Sequence, residues 1–169
     1  MSELVIRKAK EKDIIGIEEM YRKRVSYNDA HGIHQWDYDQ VTWECFRQLY
    51  TINDYYVGFL DQTIVCGCFI VDVDHLYWPD EKAGAALYLH KIVVDPDYGG
   101  HGYADELIRF FKEKGKSEGY PEVRIDVREK KTKLRQMYER NGFQLVKIDQ
   151  FVPEFTTALY HCTFQTPSK

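Results

Sequence analysis

No stretch of this 169-residue chain is apolar for long enough to cross a bilayer as a helix, so no membrane partner is expected. The N-terminal run Ser2-Glu3-Leu4-Val5-Ile6-Arg7-Lys8 contains no apolar core of the kind a signal peptide needs. Cysteine is sparse. Cys45, Cys66, Cys68 and Cys162 fit no zinc spacing, because the one close pair is C-x-C and no second pair follows. No metal is expected. In a strand Cys66 and Cys68 would share a face as small buried side chains. A reducing, cytoplasmic setting is the default expectation. Basic residues do not predominate: 23 Lys+Arg stand against 27 Asp+Glu, a net charge of −4, which argues against a nucleic-acid partner. Gly-Lys-Ser/Thr is absent, which excludes a Walker A loop. There is no internal repeat, low-complexity tract or linker, and the length suits a single domain over 1–169.

Hydrophobic residues make up 44% of the chain, enough for a core without disulfides or metal. Aromatics reach 15%, with 13 Tyr. Charge is uneven. Residues 99–148 carry 12 Lys+Arg against 8 Asp+Glu, or +4, which leaves −8 for the remainder. Such a basic stretch suits a small polyanionic ligand, or simply solvated helix faces.

Apolar spacing and turn residues predict a strand over 4–9, a helix over 14–24 started by Asp13, a loop over 28–39 and a helix over 38–50. A hairpin follows at 55–60 and 63–72 across Asp61-Gln62. Further strands are expected at 85–94, 123–128, 143–151 and 157–164, and helices at 103–116 and 131–140, the last stopped by Asn141-Gly142. The order is that of an α/β protein with a single mixed central sheet flanked by helices. The strand–helix–strand unit from Leu87 to Val127 implies a parallel crossover.

Two segments carry chemistry. In the first, the strand ending Ile92-Val93-Val94 runs through Asp95-Pro96-Asp97-Tyr98 into Gly99-Gly100-His101-Gly102, which opens a helix at Tyr103-Ala104. Glycine permits positive φ and close approach of a ligand, and a helix start offers unpaired N–H groups and a positive dipole end. This combination is an anion site, or else a tight turn that binds nothing. A dinucleotide fingerprint starting at Gly100 would require Gly or Ala at Asp105. In the second segment, the strand Val123–Arg128 is followed by a helix ending Tyr138-Glu139-Arg140-Asn141-Gly142-Phe143.

Together these two segments resemble the GNAT superfamily of acetyl-CoA-dependent N-acetyltransferases. The glycine turn is similar to that family's Arg/Gln-x-x-Gly-x-Gly/Ala pattern, and the second segment to its Tyr-Glu-x-x-Gly-Phe helix end. The resemblance implies the GNAT fold over one N-acetyltransferase domain, acetyl-CoA as co-substrate, and direct transfer to a primary amine, of a small molecule or of a peptide. Backbone groups of Ile92, Val93 and Val94 would pair with the pantetheine arm. Gly99, Gly100, His101, Gly102, Tyr103 and Ala104 would hold the pyrophosphate, and Lys131 would serve the phosphates. Tyr138 would protonate the leaving thiolate. His90, with a pKa suited to neutral pH, is the candidate base. Gln35 and Trp36 would line the acceptor side, where the acidic N-terminal part suits a cation; Trp36 alternatively anchors its loop to the core. Two departures stand out: Tyr98 or Gly99 replaces the Arg/Gln, and Lys130-Lys131 replaces a frequent Asn. They leave room for a module that binds acyl-CoA without turnover. A homodimer is compatible with the resemblance, but no segment specifies an interface.

Overall fold

The computed structural model describes residues 2–164. Strands β1 (Leu4–Lys8), β2 (Tyr55–Leu60), β3 (Thr63–Val71), β4 (Leu87–Val94), β5 (Glu122–Arg128), β6 (Gln144–Val152) and β7 (Phe155–Thr163) form one mixed sheet in the order β1-β2-β3-β4-β5-β7-β6. The helices are α1 (Ile14–Ala30), α2 (Trp43–Phe46), α3 (Tyr103–Ser117) and α4 (Thr132–Arg140). The chain divides into two compact units, one of residues 1–69 and 91–107, the other of 70–90 and 108–169.

In the first unit, β1 runs antiparallel to β2, and β2 antiparallel to β3. The hairpin turns at Asp61, which takes φ +54°, a conformation aspartate tolerates better than most residues. The core is aromatic. Tyr21 meets Trp36, Phe46 and Tyr55 edge-on at centroid distances of 5.5, 5.2 and 6.3 Å. Helix α1 supplies Ile17, Met20, Tyr21 and Val25, one buried stripe at helical spacing.

Two sequence expectations change here. Asp13 does not cap α1 with its side chain. It sits in the preceding 3₁₀ turn, where its carboxylate accepts the Lys10 N–H at 2.8 Å and pairs with Arg7 at 2.9 Å. The helix then runs to Ala30 rather than stopping at 24, because nothing breaks it before Gly32 at φ +70°. Apolar periodicity marked where its buried face ends, not where its hydrogen bonds end. The helix expected over 38–50 is a 3₁₀ turn, Tyr38–Val41, followed by the single turn α2. Extended Thr42 separates them, and its hydroxyl accepts the Cys45 N–H at 3.2 Å, a local bond that competes with helix. Leu49, expected on the apolar stripe, is 82% exposed.

In the second unit the parallel crossover is present: Leu87, Tyr88 and Leu89 of β4 pair with Val123, Arg124 and Ile125 of β5. β5 pairs antiparallel with β7, from Glu122↔Thr163 to Arg128↔Thr157, and β7 pairs with β6. Alternation along β5 buries Val123, Ile125 and Val127 on one face. Arg124, Asp126 and Arg128 take the other face, shared with Tyr88 and Thr157 by register.

Candidate active site

The first unit carries the glycine turn. Gly100 and Gly102 adopt φ +80° and +81°, which side-chain-bearing residues rarely do, and a Cβ at either would meet nothing within 4 Å. The turn is exposed from Gly99 to Gly102. The first helical bond of α3 runs from Glu106 N to Gly102 O at 3.0 Å, so the N–H groups from Tyr103 onward precede it. His101 and Tyr103 lie side by side, their ring centroids 5.9 Å apart. Ahead of the turn, Asp95 and Asp97 are both bound by Lys23, at 2.8 and 2.6 Å. Arg24 donates twice to the Val94 carbonyl, from Nε at 3.0 Å and Nη2 at 2.6 Å. Lys23 and Arg24 thus anchor the strand end and its turn to α1, a role no local sequence pattern announced. Both lone pairs of the Val94 carbonyl are engaged, so that atom is not open to a pantetheine arm.

Just before, Lys91 takes φ +55°, a strained position for a lysine inside a strand. Its carbonyl accepts from buried Tyr21 Oη at 2.5 Å, and Tyr55 Oη donates to Tyr21 Oη at 3.0 Å. Burial pushes both phenols well above their ordinary pKa, so each stays protonated and able to donate. The Lys91 ammonium lies over the Trp36 ring, 5.5 Å from its centroid. Trp36 is 8% exposed and packed in the aromatic core, while its neighbour Gln35 is half-buried. Of the two expected acceptor-side residues, then, Trp36 is a loop anchor by its packing. A depression of about 320 Å³ beside α1, bounded by side chains from Glu19 to Tyr27 with Pro96 and Asp97, contains none of the expected site residues.

The second unit carries the proton-handling groups. His90 is flanked by carboxylates on both ring nitrogens: Asp126 Oδ1 lies 3.1 Å from Nδ1 and Asp74 Oδ2 lies 3.3 Å from Nε2. Burial alone would depress the histidine pKa, but the two carboxylates outweigh it and hold His90 up at about 9. His90 is therefore an imidazolium at neutral pH and accepts a proton only in more alkaline solution. This corrects the expectation of a neutral-pH base. Asp74 is 7% exposed. Burial raises its pKa, but the His90 pairing and the N–H groups of Leu76 and Tyr77, at 3.0 and 2.9 Å from Oδ1, bring the balance below the usual range. Tyr77 faces Asp126 and Asp74, and burial together with those charges pushes its phenol up to about 12. The candidate ligand atoms of Asp74, His90 and Asp126 fall within 4.8 Å of one another, a grouping made in space that no cysteine spacing announces.

Tyr138 is 3% exposed on α4, its ring 6.4 Å from Phe143 and 6.3 Å edge-on from Tyr160. Helix α4 ends as expected, Gly142 taking φ +90°. Lys131 lies half-buried just before α4, and burial with the nearby Arg128 lowers its pKa. Several charges of the basic stretch are engaged internally. Arg124 stacks on Trp78 at 4.0 Å and pairs with Glu122 and Glu81, and Arg135 donates to Tyr160 at 2.8 Å.

A mixed sheet flanked by helices thus carries a glycine turn that leads from a strand into a helix, and a tyrosine-bearing helix after the next strand. The chain belongs to the acetyltransferase (GNAT) family, whose profile matches residues 17–143. Among solved structures it is similar to a GNAT-family acetyltransferase from Listeria monocytogenes, at 22% identity and TM-score 0.78 over 96% of each chain. It is also similar to the PaiA N-acetyltransferase from Thermoplasma acidophilum in complex with coenzyme A, at 16% identity and TM-score 0.71 over 96% of this chain and 99% of that one. A third is YncA from Salmonella typhimurium with acetyl-CoA, at 16% identity and TM-score 0.65 over 99% and 98%. No curated protein matches the sequence.

Proposed function

We propose that this chain moves an acetyl group from acetyl-CoA to a small primary amine, by direct attack of the amine on the thioester in a ternary complex. The observation that carries the reading is the turn at Gly100 and Gly102, both left-handed and exposed, leading into the N-terminus of α3. Backbone N–H groups from Gly99 to Ala104 hold the pyrophosphate, and Lys131 meets the cofactor's phosphates. Ile92 and Val93 offer backbone to the pantetheine arm, while the Val94 carbonyl stays with Arg24. Gln35 belongs to the acceptor side, with Trp36 as the fixed wall behind it.

The amine nitrogen bonds to the thioester carbon as the C–S bond breaks. Tyr138 gives its phenolic proton to the departing thiolate. His90, once deprotonated, takes the proton lost by the amine. Holding both substrates together supplies much of the rate, since a thioester is already an activated acyl donor. The family match runs from residue 17 to residue 143, which supports one catalytic domain. The four cysteines are free thiols, in keeping with a reducing cytoplasmic setting.

Two measurements test the proposal: thermal stabilisation by saturating acetyl-CoA, then thiol release across a panel of amines. Stabilisation with thiol release is expected. No stabilisation would end the acetyl-CoA reading. Stabilisation with no release on any amine would leave a module that binds acyl-CoA without turnover.

A further inference from the structure

Strand β6 closes one edge of the sheet: β7 pairs with one side of it, and among the described residues no strand pairs with the other. From Gln144 to Gln150 every residue is exposed, whichever face it takes. Leu145, Val146 and Ile148, three large apolar side chains within four residues, are 45, 41 and 38% exposed. An edge strand presents unpaired N–H and C=O groups to any other strand, and soluble proteins blunt such edges by shortness or charge. β1, at the other edge, is blunted in both ways, with five residues that end in Arg7 and Lys8. β6 has nine residues. At about 3.4 Å each, nine residues make about 30 Å of edge. The β6 register against β7 shifts between Leu145 and Lys147 and again between Asp149 and Val152. Its regular centre is therefore Lys147-Ile148-Asp149, opposite Leu159, Ala158 and Thr157.

The charges of this centre say which occupant fits. Lys147 and Asp149 stand two residues apart and share one face, while Ile148 takes the other. Directly opposed residues of an antiparallel pair also share a face. A second copy of β6, related by a two-fold axis, must therefore be centred on a residue and not between two. Centred on Lys147, it would set ammonium against ammonium; centred on Asp149, carboxylate against carboxylate. One residue further out either way, Lys147 would face Leu145, or Asp149 would face Phe151. Centred on Ile148, every charge is matched. Lys147 faces the partner's Asp149, Asp149 faces the partner's Lys147, and Ile148 meets the partner's Ile148. Leu145 and Val146 then lie toward the partner's Phe151 and Gln150. Within the chain, the Lys147 ammonium lies 5.4 Å from the Phe151 ring centroid, and Asp149 Oδ1 accepts the Gln150 N–H at 2.8 Å. Both contacts leave the charged side chains exposed.

We infer that the β6 edge is the interface of a homodimer, in which two copies of β6 pair antiparallel about Ile148. The contact is isologous, so each Lys147–Asp149 pair occurs twice. It goes beyond the acetyltransferase reading and does not depend on it. The strip is narrow and sits at the low end of specific interfaces, so a dissociation constant of about 10 µM is expected.

The test is analytical sedimentation of the full chain at concentrations on both sides of that constant, from about 1 µM to about 1 mM. A reversible monomer–dimer equilibrium is expected. Lys147→Asp sets carboxylates against carboxylates, and Asp149→Lys sets ammonium groups against ammonium groups. Each variant alone should weaken the dimer about tenfold or more, since two attractive cross-strand pairs become repulsive. Mixed in equal amounts, the two variants should form a heterodimer close to the wild-type dimer in affinity, because every unlike pair returns. Should either variant not fold, Ile148→Cys reads the same register. Facing Cα atoms of an antiparallel pair lie about 4.5–5.5 Å apart, within disulfide reach. Oxidised glutathione should then join two chains through position 148, and should leave the wild type unlinked. A chain that stays monomeric up to about 1 mM, a hundredfold above the expected constant, overturns the inference. So does a dimer indifferent to both charge reversals, a pair of folded variants that associate no better mixed than apart, or an Ile148→Cys chain that forms no link through that position.

Discussion

At Tyr138 the proposal turns on a single hydroxyl. The ring is wedged beside Phe143 and Tyr160, so Tyr138→Phe keeps the packing and removes the hydroxyl, the acid of the proposed reaction. Turnover should fall about a hundredfold, the lower end for loss of a positioned proton donor. Acetyl-CoA affinity should hold within about twofold, because the hydroxyl meets the thiolate only as it forms. Thiol-release kinetics beside a binding isotherm check this, and an unchanged turnover removes Tyr138 from the mechanism. His90 makes a pH prediction. With the group held at about 9, kcat/KM should climb through neutrality and level off near that pH. Asp126→Asn removes one of the two flanking carboxylates, so the limb should move to lower pH; a limb that stays put assigns it to another group. The same pairing affects folding. A histidine whose folded pKa is raised adds stability in full below its ordinary 6.5, and that stability is lost as pH rises through about 9. The melting point should therefore drop more between neutral pH and pH 10 in the wild type than in H90Q. Tyr138, His90 and the turn glycines stand out in the sequence because each sits in a local pattern. Asp74 and Asp126 do not, since their meeting with His90 is made by strand register and by the turn at Tyr77, which no short spacing encodes.

At the scale of elements, the sequence was most readable where one force decided the outcome. The β2–β3 hairpin, β5, α3 and the Gly142 stop follow alternation, amphipathic spacing and turn chemistry, and they stand within a residue or two of expectation. The region 25–50 was misread because local bonds at helix ends decide it: the Thr42 hydroxyl takes the Cys45 N–H, and the Asn28 backbone carbonyl accepts the Ile33 N–H at 2.8 Å beyond the end of α1. Two glycines separate local conformation from packing. At Gly102 an added Cβ meets nothing, so Gly102→Val suffers only from its φ of +81°, about 1–3 kcal/mol. The apo protein should stay folded and lose stabilisation by acetyl-CoA; retained stabilisation would mean the turn holds no phosphate. At Gly67 the backbone is ordinary, but a Cβ would lie 2.4 Å from Tyr55 Oη and 2.6 Å from its ring. Tyr55 is fully buried and bonded to Tyr21, so it has little room to yield. Gly67→Ala should cost about 1–3 kcal/mol by overpacking, read from the urea midpoint.

For the whole molecule, the net charge of −4 conceals the +4 of residues 99–148. The structure shows that this excess is not all available to a ligand. Arg124 and Arg135 are held in place by Glu122, Glu81 and Tyr160, and Lys112 donates to the Asn141 carbonyl at 2.7 Å. If the rest of the stretch, Lys131 foremost, still draws the cofactor's phosphates, the attraction acts partly through solvent and must be screened by salt. The Debye length falls from about 10 Å at 0.1 M to about 3 Å at 1 M. The acetyl-CoA dissociation constant should then rise about tenfold across that range, while the backbone N–H bonds at the glycine turn keep binding from vanishing. At low salt and a hundredfold excess over the dissociation constant, linkage adds about 2.7 kcal/mol to stability, a rise of roughly 5–10 °C in melting point for a chain of this size. At high salt the same acetyl-CoA concentration should give about half that gain. A dissociation constant indifferent to salt would mean that the basic stretch serves only the protein's own acids, and that the turn alone holds the pyrophosphate.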